Sequence, residues 1–367
     1  VVSAFLFPVI STPLAIEGTR IHPNRLLVQA TRVEAESEAS RLGGRVYRVF
    51  PQIGYAVLEL PAKKLVRSKR ALEADFGVGR VHFDRAARAA YTPNDPLWPS
   101  MWHARQTGAD QVWDNWLGAP ITVAVIDTGV ETAHPDLAAN IWKNLGETPN
   151  NGLDDDGNGY IDDMVGWDFY NEDAVPNDAG GHGTACSGLV ASVMDNGLGA
   201  AGIAPRAKIM ALRVASDDGY FYDSDNIAAY LYGADNGARI FSISFFSDRV
   251  SVPERLALDY AWNKGVLPVV AAGNANTVLP YYPAAHETVI AVAAMNQSLN
   301  KASFSNFGSW VDVVAPGTSL ATSSLGGGYT TGFSGTSGAC PVFAGVAALA
   351  WSRQPSLTNT QIRQILE

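Results

Sequence analysis

Four nearly continuous apolar segments constrain the fold of this chain more than any other feature of its sequence. They are ITVAVID (121–127), ARIFSIS (238–244), VLPVVAAGN (266–274) and TVIAVAAM (288–295). Strands without polar alternation are buried on both faces, as in a parallel sheet covered by helices. The segments therefore predict an α/β fold with a doubly wound, mostly parallel sheet flanked by helices.

Helix-forming segments separate these predicted strands. They are HGTACSGLVASVM (182–194), DSDNIAAYLYGADNG (223–237) and SVPERLALDYAWNKG (251–265). A doubly wound sheet places its functional site beyond the carboxyl ends of the strands. Polar residues directly after the apolar segments are therefore the first candidates for function.

The N-terminal part has a different pattern, typical of a small α+β domain with the order βαββαβ, a ferredoxin-like arrangement. Strands are predicted at 25–31, on both sides of a break at 51–54, and at 79–84; helices are predicted at 33–44 and 62–77. An Ala-, Arg- and Pro-rich linker follows. We therefore divide the chain into residues 1–24, a small domain over 25–90 and an α/β domain over 91–367.

The two ends of the sequence carry their own patterns. VVSAFLFPVISTPLA (1–15) is apolar and ends in small residues, so it is either the later part of a secretory signal or an apolar arm. QIRQILE (361–367) is a helical pattern that follows a cap at Thr358 or Thr360, which predicts a C-terminally truncated domain. Apolar stretches stay below the about 18 residues of a spanning helix, so no membrane span is predicted.

The chain has a net charge of −10, and its charged residues are unevenly distributed. Residues 25–90 hold 13 basic and 7 acidic side chains, a net charge of +6, whereas residues 91–367 hold 12 and 28, a net charge of −16. Attraction between the two parts is one interpretation, and chance variation of surface charge is the other. An acidic chain lacks the clustered Lys and Arg that bind phosphates, so nucleic acid is not an expected partner.

Three short motifs carry residues that act together in nucleophilic catalysis. Asp127 ends the first apolar segment in VIDTGV, His182 opens a helix in GGHGTACSG, and Ser337 lies in FSGTSGACP. Alone, each residue could equally be a helix cap or a structural residue without a catalytic role. Together they supply a hydroxyl nucleophile, an imidazole that takes its proton and a carboxylate that orients the imidazole. Their chain order is one of the three known for this constellation.

Asn274 adds a fourth functional group at the end of the segment VVAAGN. A side-chain amide in this position can donate a hydrogen bond to a developing oxyanion, together with the backbone N–H of Ser337.

These motifs resemble those of the subtilisin-family (subtilase) serine proteases. VIDTGVETAHPDL, GGHGTACSGLVAS, AAGN and GFSGTSGACPVFAGVAALA occur in the family order. The resemblance implies a secreted, monomeric serine endopeptidase whose triad is Asp127, His182 and Ser337 and whose oxyanion donor is Asn274. It also implies that residues 25–90 are a propeptide, both folding chaperone and inhibitor, removed by autocatalytic cleavage within RAARAAYT (85–92). Ala89, Ala90 and Tyr91 are the candidate P1 residues, and Arg88 is the basic alternative. Phe245 and Phe246, expected near the S1 pocket wall, favour cleavage after Ala90.

Two departures from the family pattern bear on function. Gly338 and Pro341-Val342 stand where the family usually has Met and Pro-His, and Phe246 stands at a usual glycine of the substrate-binding strand. The substrate-binding residues implied by the resemblance are Ser244, Phe245, Phe246, Ala271, Ala272 and Gly273. Because Phe246 narrows the expected S1 pocket, the alternative is a catalytically impaired subtilase that acts as a binding module.

The acidic segment NGLDDDGNGYIDD (151–163) predicts a structural calcium site. Alternating oxygen ligands around a glycine turn can surround one hard cation, although the EF-hand template fits only in part. The expected ligands are Asp154, Asp156, Asn158, Tyr160, Asp162 and Asp163. A solvated acidic loop is the alternative.

The two cysteines, Cys186 and Cys340, follow His182 and Ser337 by about one helical turn. They are expected beneath the active site as buried free thiols, with a disulfide between the two helices as the alternative.

Overall fold

The structure, a computed structural model, describes residues 21–86 and 92–367. Within these ranges the chain forms two compact units, residues 21–86 and residues 92–367. Residues 1–20 of the predicted arm or signal remnant lie outside the described residues. So do the residues considered for propeptide cleavage at Arg88, Ala89, Ala90 and Tyr91.

The first unit has the element order that the sequence predicts. It contains β1 (Ile21–Gln29), α1 (Arg32–Arg41), β2 (Arg45–Phe50), β3 (Tyr55–Glu59), α2 (Leu65–Phe76) and β4 (Val81–Arg85). The strands pair antiparallel in the order β2-β3-β1-β4. Strand β1 begins at Ile21, so residues 21–24 belong to this strand and not to a separate arm, which corrects the predicted boundary at Arg25.

Local sequence explains how the two helices of this unit form and pack. Thr31 and Glu34 make a capping box at the start of α1, which satisfies N–H groups that the helix leaves unpaired. Leu26, Leu58 and Leu72, from two strands and α2, are fully buried in one hydrophobic core. Burying such side chains is the main favourable term in forming the unit.

The second unit contains the predicted parallel sheet. Its strands are β5 (Thr122–Asp127), β6 (Gly166–Asp168), β7 (Lys208–Arg213), β8 (Ile240–Ile243), β9 (Leu267–Ala271), β10 (Ile290–Met295) and β11 (Val313–Pro316). All pairs among them are parallel, in the order β11-β10-β9-β8-β5-β7-β6. The strands predicted from the four apolar segments are confirmed, whereas β6, β7 and β11 were not predicted.

Helices cover both faces of this sheet. They are α3 (Trp102–Thr107), α4 (His182–Ala191), α5 (Asp223–Asp235), α6 (Val252–Asn263), α7 (Thr336–Arg353) and α8 (Asn359–Leu366), and a hairpin of β12 (Leu320–Ser324) and β13 (Gly328–Phe333) precedes α7. Val123 and Val125 of β5 pack in the core that contains residues of α4 and α7, whereas Ala124 and Ile126 pack in the core that contains residues of α5 and α6. This burial on both faces explains why β5 shows no polar alternation. No helix within the described ranges is long and apolar enough to cross a membrane.

The strand order reverses direction at β5, which positions the candidate site. After β5 the chain adds β6 and β7 on one side and returns to β8 on the other side. Val125 pairs with Ser242 and Ile126 with Ile243, so the carboxyl ends of β5 and β8 lie side by side. Ligands of open α/β sheets bind at such switch points.

Candidate active site

Asp127 and His182 form a hydrogen-bonded pair at the carboxyl edge of the sheet. The Nδ1 atom of His182 lies 2.8 Å from Oδ1 of Asp127, which also accepts the backbone N–H of Thr128 at 2.7 Å. The side chain of Asp127 is 1% exposed and that of His182 is 34% exposed. A carboxylate at Nδ1 holds the neutral imidazole with its proton on that atom, so Nε2 is left as the base.

The start of α4 fixes the backbone that carries His182. The backbone N–H of Gly183 donates to the Thr128 hydroxyl at 2.9 Å. A Cβ at residue 183 would lie 2.1 Å from the carbonyl oxygen of Gly129. Only glycine therefore permits α4 to begin this close to the loop after β5, which explains the glycine directly after His182.

Two opposing effects act on the pKa of the His182 imidazole. Burial disfavours the imidazolium and lowers the pKa, whereas the Asp127 carboxylate favours the imidazolium and raises it. The interactions that raise the pKa, of which that with the Asp127 carboxylate is the largest and that with Cys186 the next, together outweigh burial, so the pKa of His182 lies well above its ordinary value of 6.5. The imidazole is therefore a stronger base than an isolated histidine, and it is protonated over a wider pH range.

Ser337 is held at the second position of α7 by contacts to its backbone as well as its side chain. Pro341 has no N–H, so it offers no helical hydrogen bond to the carbonyl of Ser337 four residues earlier. That carbonyl instead accepts the Ser244 hydroxyl at 3.2 Å and the Cys186 thiol at 3.4 Å. These two contacts tie the backbone of the candidate nucleophile to the residue directly after β8 and to α4.

The Ser337 hydroxyl and the His182 imidazole are neighbours without a direct hydrogen bond between these two described residues. The hydroxyl donates to the carbonyl oxygen of Ser244 at 3.2 Å. The Cys186 sulfur links the two residues, because it lies 3.9 Å from His182 Nδ1 and 3.4 Å from the Ser337 carbonyl oxygen. Catalytic hydrogen bonds are often long or misaligned without substrate, so proton transfer requires the hydroxyl to turn away from Ser244.

The Asn274 amide has a defined orientation three residues beyond β9. Its Oδ1 atom accepts two hydrogen bonds from Thr336, from the backbone N–H and from the hydroxyl, both at 2.9 Å. Asn274 is exposed, and its side-chain oxygen Oδ1 is bound to Thr336, the residue that precedes Ser337. The Nδ2 donor therefore remains available beside the candidate nucleophile, as an oxyanion donor must be.

The residues expected to bind substrate have different surroundings. The ring of Phe245 is buried and stacks on Phe221 with centroids 4.4 Å apart, so it does not form the pocket wall that the sequence suggested. Ala271 and Ala272 are fully buried and can contribute only backbone groups. Phe246 is 38% exposed. Of the two phenylalanines, only Phe246 can therefore narrow the expected S1 pocket with its ring.

A groove of about 400 Å³ lies beside His182 and was not anticipated from the sequence. Phe333, at the end of β13, lines it with its ring 5.5 Å from the His182 ring. Its other lining residues come from the segment before α4, from α4 itself and from the β12–β13 hairpin: Gly180, Gly181, Ala185, Ser323, Ser324, Leu325 and Thr330.

Both cysteines are buried and free, as the preferred interpretation predicted. The Cys340 thiol donates to the carbonyl oxygen of Val269 at 3.3 Å, and burial raises its pKa to about 12. Burial likewise raises the pKa of the Cys186 thiol. Neutral thiols of this kind fill space beneath the site and are poor nucleophiles.

The acidic segment folds so that three carboxylates approach one another. Atoms of Glu147, Asp154 and Asp156 lie within 4.8 Å of each other, in an all-oxygen arrangement that suits Ca²⁺. Glu147 lies outside the predicted segment and was missed. Asp162 and Asp163 do not join this group.

Asp162 and Asp163 bind other groups of the loop and its surroundings. The Asp162 carboxylate accepts the backbone N–H groups of Asn151 and Gly152, at 3.1 and 2.9 Å. The buried Asp163 carboxylate accepts the Asn144 and Asn158 amides and the Tyr232 hydroxyl. The ring of Tyr160 packs against that of Tyr232 with centroids 4.9 Å apart. The side chains of Asn158 and Tyr160 are thus engaged in contacts within the loop and with Tyr232, and the predicted ligand set as a whole stays a prediction.

A second pair of carboxylates, Asp95 and Asp136, was also missed. Both are buried, and burial raises the pKa of Asp136 to about 6. Within the described ranges, the buried Oδ1 atom of Asp95 has no hydrogen-bond partner. The Asp95 carboxylate also contributes to the raised pKa of Asp136, because like charges disfavour the ionised form. Their place in the motif segments PNDPLW and AHPDL was the available sequence signal.

Comparisons with known proteins identify the family of this chain. A family model described as the subtilase family matches residues 118–367. Thermitase from Thermoactinomyces vulgaris is 39% identical over 278 residues, covering 76% of this chain and 91% of that protein. Subtilisin NAT from Bacillus subtilis subsp. natto is 31% identical over 333 residues, covering 89% and 78%. The solved structure of a cold adapted subtilisin-like serine proteinase matches with a TM-score of 0.57 and 30% identity, covering 68% and 82%.

Proposed function

Because the chain belongs to the subtilase family and is a serine endopeptidase, we propose that Asp127, His182 and Ser337 are its catalytic triad. The observation that supports this most is the 2.8 Å contact between His182 and Asp127, at a sheet edge where the start of α7 presents Ser337. The order of the three residues and their contacts suit acyl transfer.

The reaction follows from the roles of these groups. The Ser337 hydroxyl attacks the scissile carbonyl carbon while Nε2 of His182 takes its proton. The carbonyl oxygen becomes an oxyanion, which accepts hydrogen bonds from Asn274 Nδ2 and the backbone N–H of Ser337. The imidazolium then protonates the leaving amine, and an acyl-enzyme ester remains on Ser337. A water molecule, deprotonated by His182, hydrolyses that ester.

A catalytically impaired binding module is the other candidate, and Phe246 is the feature that favours it. The ring of Phe246 contacts that of Tyr281, with centroids 5.4 Å apart, and it stands where the family resemblance places the S1 pocket. Asp127, His182, Ser337 and Asn274 are all present with the contacts described above. A narrowed pocket restricts the P1 side chain and leaves the chemistry intact.

Residues 25–90 are proposed to be an inhibitory propeptide, and the chain an autoprocessed zymogen. The folded α+β unit and its net charge of +6, against −16 for residues 91–367, support this role. A product-like segment must pass through the cleft, and the small residues of RAARAAYT (85–92) suit that path. Cleavage after Ala90 is favoured over Arg88, because no carboxylate is expected in the S1 pocket.

Incubation of the purified precursor tests the proposed function. The parent chain is expected to cleave itself, and N-terminal sequencing should place the new terminus within 86–93. Ser337→Ala should remain an uncut precursor that a trace of parent enzyme can cleave in trans. Self-cleavage by Ser337→Ala at the parent rate would refute the triad, and a terminus elsewhere would refute only the junction.

Calcium is proposed as a structural cofactor. Glu147, Asp154 and Asp156 offer the hard oxygen donors that Ca²⁺ prefers, and their mutual repulsion would be relieved by a cation. The Asp95 and Asp136 pair offers a second place, since one buried oxygen of Asp95 has no partner among the described residues. In both places the ion would stabilise the fold and take no part in the reaction.

Secretion is proposed from the sequence alone. The apolar residues 1–15, with their small C-terminal residues, resemble the later part of a secretory signal. An exported enzyme of this kind would act as a monomer on protein and peptide substrates outside the cell.

A further inference from the structure

The loop over residues 272–277 follows β9, and one buried amide, that of Asn306, contacts three of its backbone groups. Asn306 has no solvent exposure. Its Nδ2 atom donates to the carbonyl oxygen of Ala272 at 2.9 Å. Its Oδ1 atom accepts the backbone N–H groups of Ala275 at 2.9 Å and Thr277 at 3.2 Å. The amide therefore joins the first part of the loop to its last part.

The backbone of Asn306 adds a further contact at Gly273. The Asn306 N–H donates to the Gly273 carbonyl oxygen at 2.9 Å. Gly273 has a φ of 98°, and a Cβ at this position would lie 2.5 Å from Nδ2 of Asn306. The loop and the Asn306 side chain therefore fit closely, with backbone contacts on both sides of Asn274.

We propose that Asn306 is a positioning residue that holds the Asn274 amide where the oxyanion forms. Thr336 fixes the rotation of the Asn274 side chain through Oδ1, and Asn306 fixes the backbone that carries it. An oxyanion donor must lie within about 2.7–3.1 Å of the developing charge, so a small displacement of the loop weakens the interaction. This inference rests on the proposed function of Asn274.

The chain offers a matched control at the other end of the same strand. Asn359 is 6% exposed, and its Nδ2 atom donates to the carbonyl oxygens of Val266 at 3.0 Å and Trp262 at 2.8 Å. Val266 directly precedes β9, whereas the loop held by Asn306 follows it. Both asparagines are buried residues that bind backbone groups, but only Asn306 contacts the loop that carries Asn274.

The test compares Asn306→Leu with Asn359→Leu in the full chain, after processing in trans by a trace of parent enzyme. kcat and KM are measured on a peptide anilide well below the melting temperature of each variant, and Ser337→Ala treated identically gives the background rate. Asn306→Leu should lower kcat at least about tenfold and change KM less than about twofold. Asn359→Leu should lower the melting temperature and leave kcat nearly unchanged.

A double variant separates positioning from general destabilisation. In an Asn274→Leu background the donor is already gone, so Asn306→Leu should lower kcat by less than about threefold. An equal loss in both backgrounds, or an unchanged kcat in Asn306→Leu, would overturn the proposal while Asn274 keeps its role. A normal kcat in Asn274→Leu would overturn the oxyanion assignment first, and the proposal with it.

Asn306→Asp keeps the test decisive if the leucine variant does not fold. Aspartate retains both acceptor contacts to Ala275 and Thr277 but, when ionised, cannot donate to Ala272. An intermediate fall in kcat with KM unchanged supports positioning. Parent kcat in a folded Asn306→Asp that has lost thermal stability would overturn it.

Discussion

His182 Nδ1 lies 2.8 Å from Asp127 Oδ1, with the carboxylate buried and the imidazole partly open to solvent. This arrangement separates two requirements of a general base. The buried carboxylate raises the pKa of the imidazole, while the exposed side of the ring stays accessible to substrate. The pair therefore predicts how the activity depends on pH.

The first prediction is that kcat/KM falls as the pH decreases through the raised pKa of His182, because only the neutral imidazole can accept the Ser337 proton. The acid limb of the pH profile should lie above the ordinary histidine range. Asp127→Asn removes the charge that favours the imidazolium, so the limb should move to lower pH while kcat falls about 10⁴-fold. A limb that stays in place in Asp127→Asn would contradict the assigned cause of the shift.

The second prediction concerns the oxyanion. Asn274→Leu keeps the approximate size of the side chain and removes its donor, so kcat should fall about 10²–10³-fold with little change in KM, the range known from a subtilisin. Thr336→Val, which loses the hydroxyl that donates to Asn274 and accepts the Gly273 N–H, should give a smaller fall in kcat because the donor itself remains. A large change in KM with intact kcat would instead make Asn274 a substrate-binding residue.

The third prediction concerns calcium and is measured by thermal unfolding with and without a chelator. Chelation should lower the melting temperature of the parent chain, because a cation that binds only the folded state stabilises it by mass action. Asp154→Asn should reduce this response, whereas the neighbouring Asp155→Asn should retain it, since Asp155 is outside the three-carboxylate group. Equal responses in the two variants would refute the loop site, and Asp95→Asn would then test the second pair.

The fourth prediction concerns a buried acid between α5 and α6. Burial raises the pKa of Glu254 from 4.5 to about 7, although the Tyr230 hydroxyl donates to it at 3.0 Å and the Asn226 amide lies at 3.5 Å. The nearby Asp223 carboxylate also favours its neutral form. The folded state therefore binds the proton more tightly than the unfolded state does.

The sign of the pH effect follows from that difference. Below pH 4.5 the Glu254 carboxyl is neutral in both states and does not change the free energy of unfolding. As the pH rises to about 7, the free energy of unfolding falls by up to roughly 3 kcal/mol. Glu254→Gln should abolish this decline, and its advantage over the parent in urea unfolding should grow between pH 4.5 and 7. Parallel stability curves for the two chains would contradict the assignment.

The sequence was sufficient for the central part of the sheet, for a physical reason. Strands β5, β8, β9 and β10 are buried on both faces, so burial alone imposes continuous apolar runs that are visible in the sequence. The three residues of β6 are too few for such a pattern, and the β12–β13 hairpin is largely polar. Its Thr322 hydroxyl is satisfied by the Ala185 carbonyl of α4, a partner 137 residues away.

In the candidate site, too, residues that act through long-range contacts could not be predicted from the sequence. Asp127, His182, Ser337 and Asn274 were found because their own chemistry and their motifs mark them. Glu147 joins the acidic group only through the fold of the loop, and Asn306 acts through backbone groups that any residues could supply. Phe245 was expected near a pocket wall from the family resemblance, but its ring stacks on Phe221 in the core. Long-range contacts of this kind leave no pattern in a single sequence.

The most direct test of the account is labelling of the processed protein by a serine-directed fluorophosphonate, measured together with hydrolysis of a peptide anilide. The parent chain should bind one equivalent at Ser337 and lose its activity in proportion, because only a serine activated by His182 attacks the reagent rapidly. Ser337→Ala, processed in trans, should neither label nor hydrolyse the peptide above background. Absence of labelling in the folded, processed parent, or equal turnover by Ser337→Ala, would contradict the proposed mechanism.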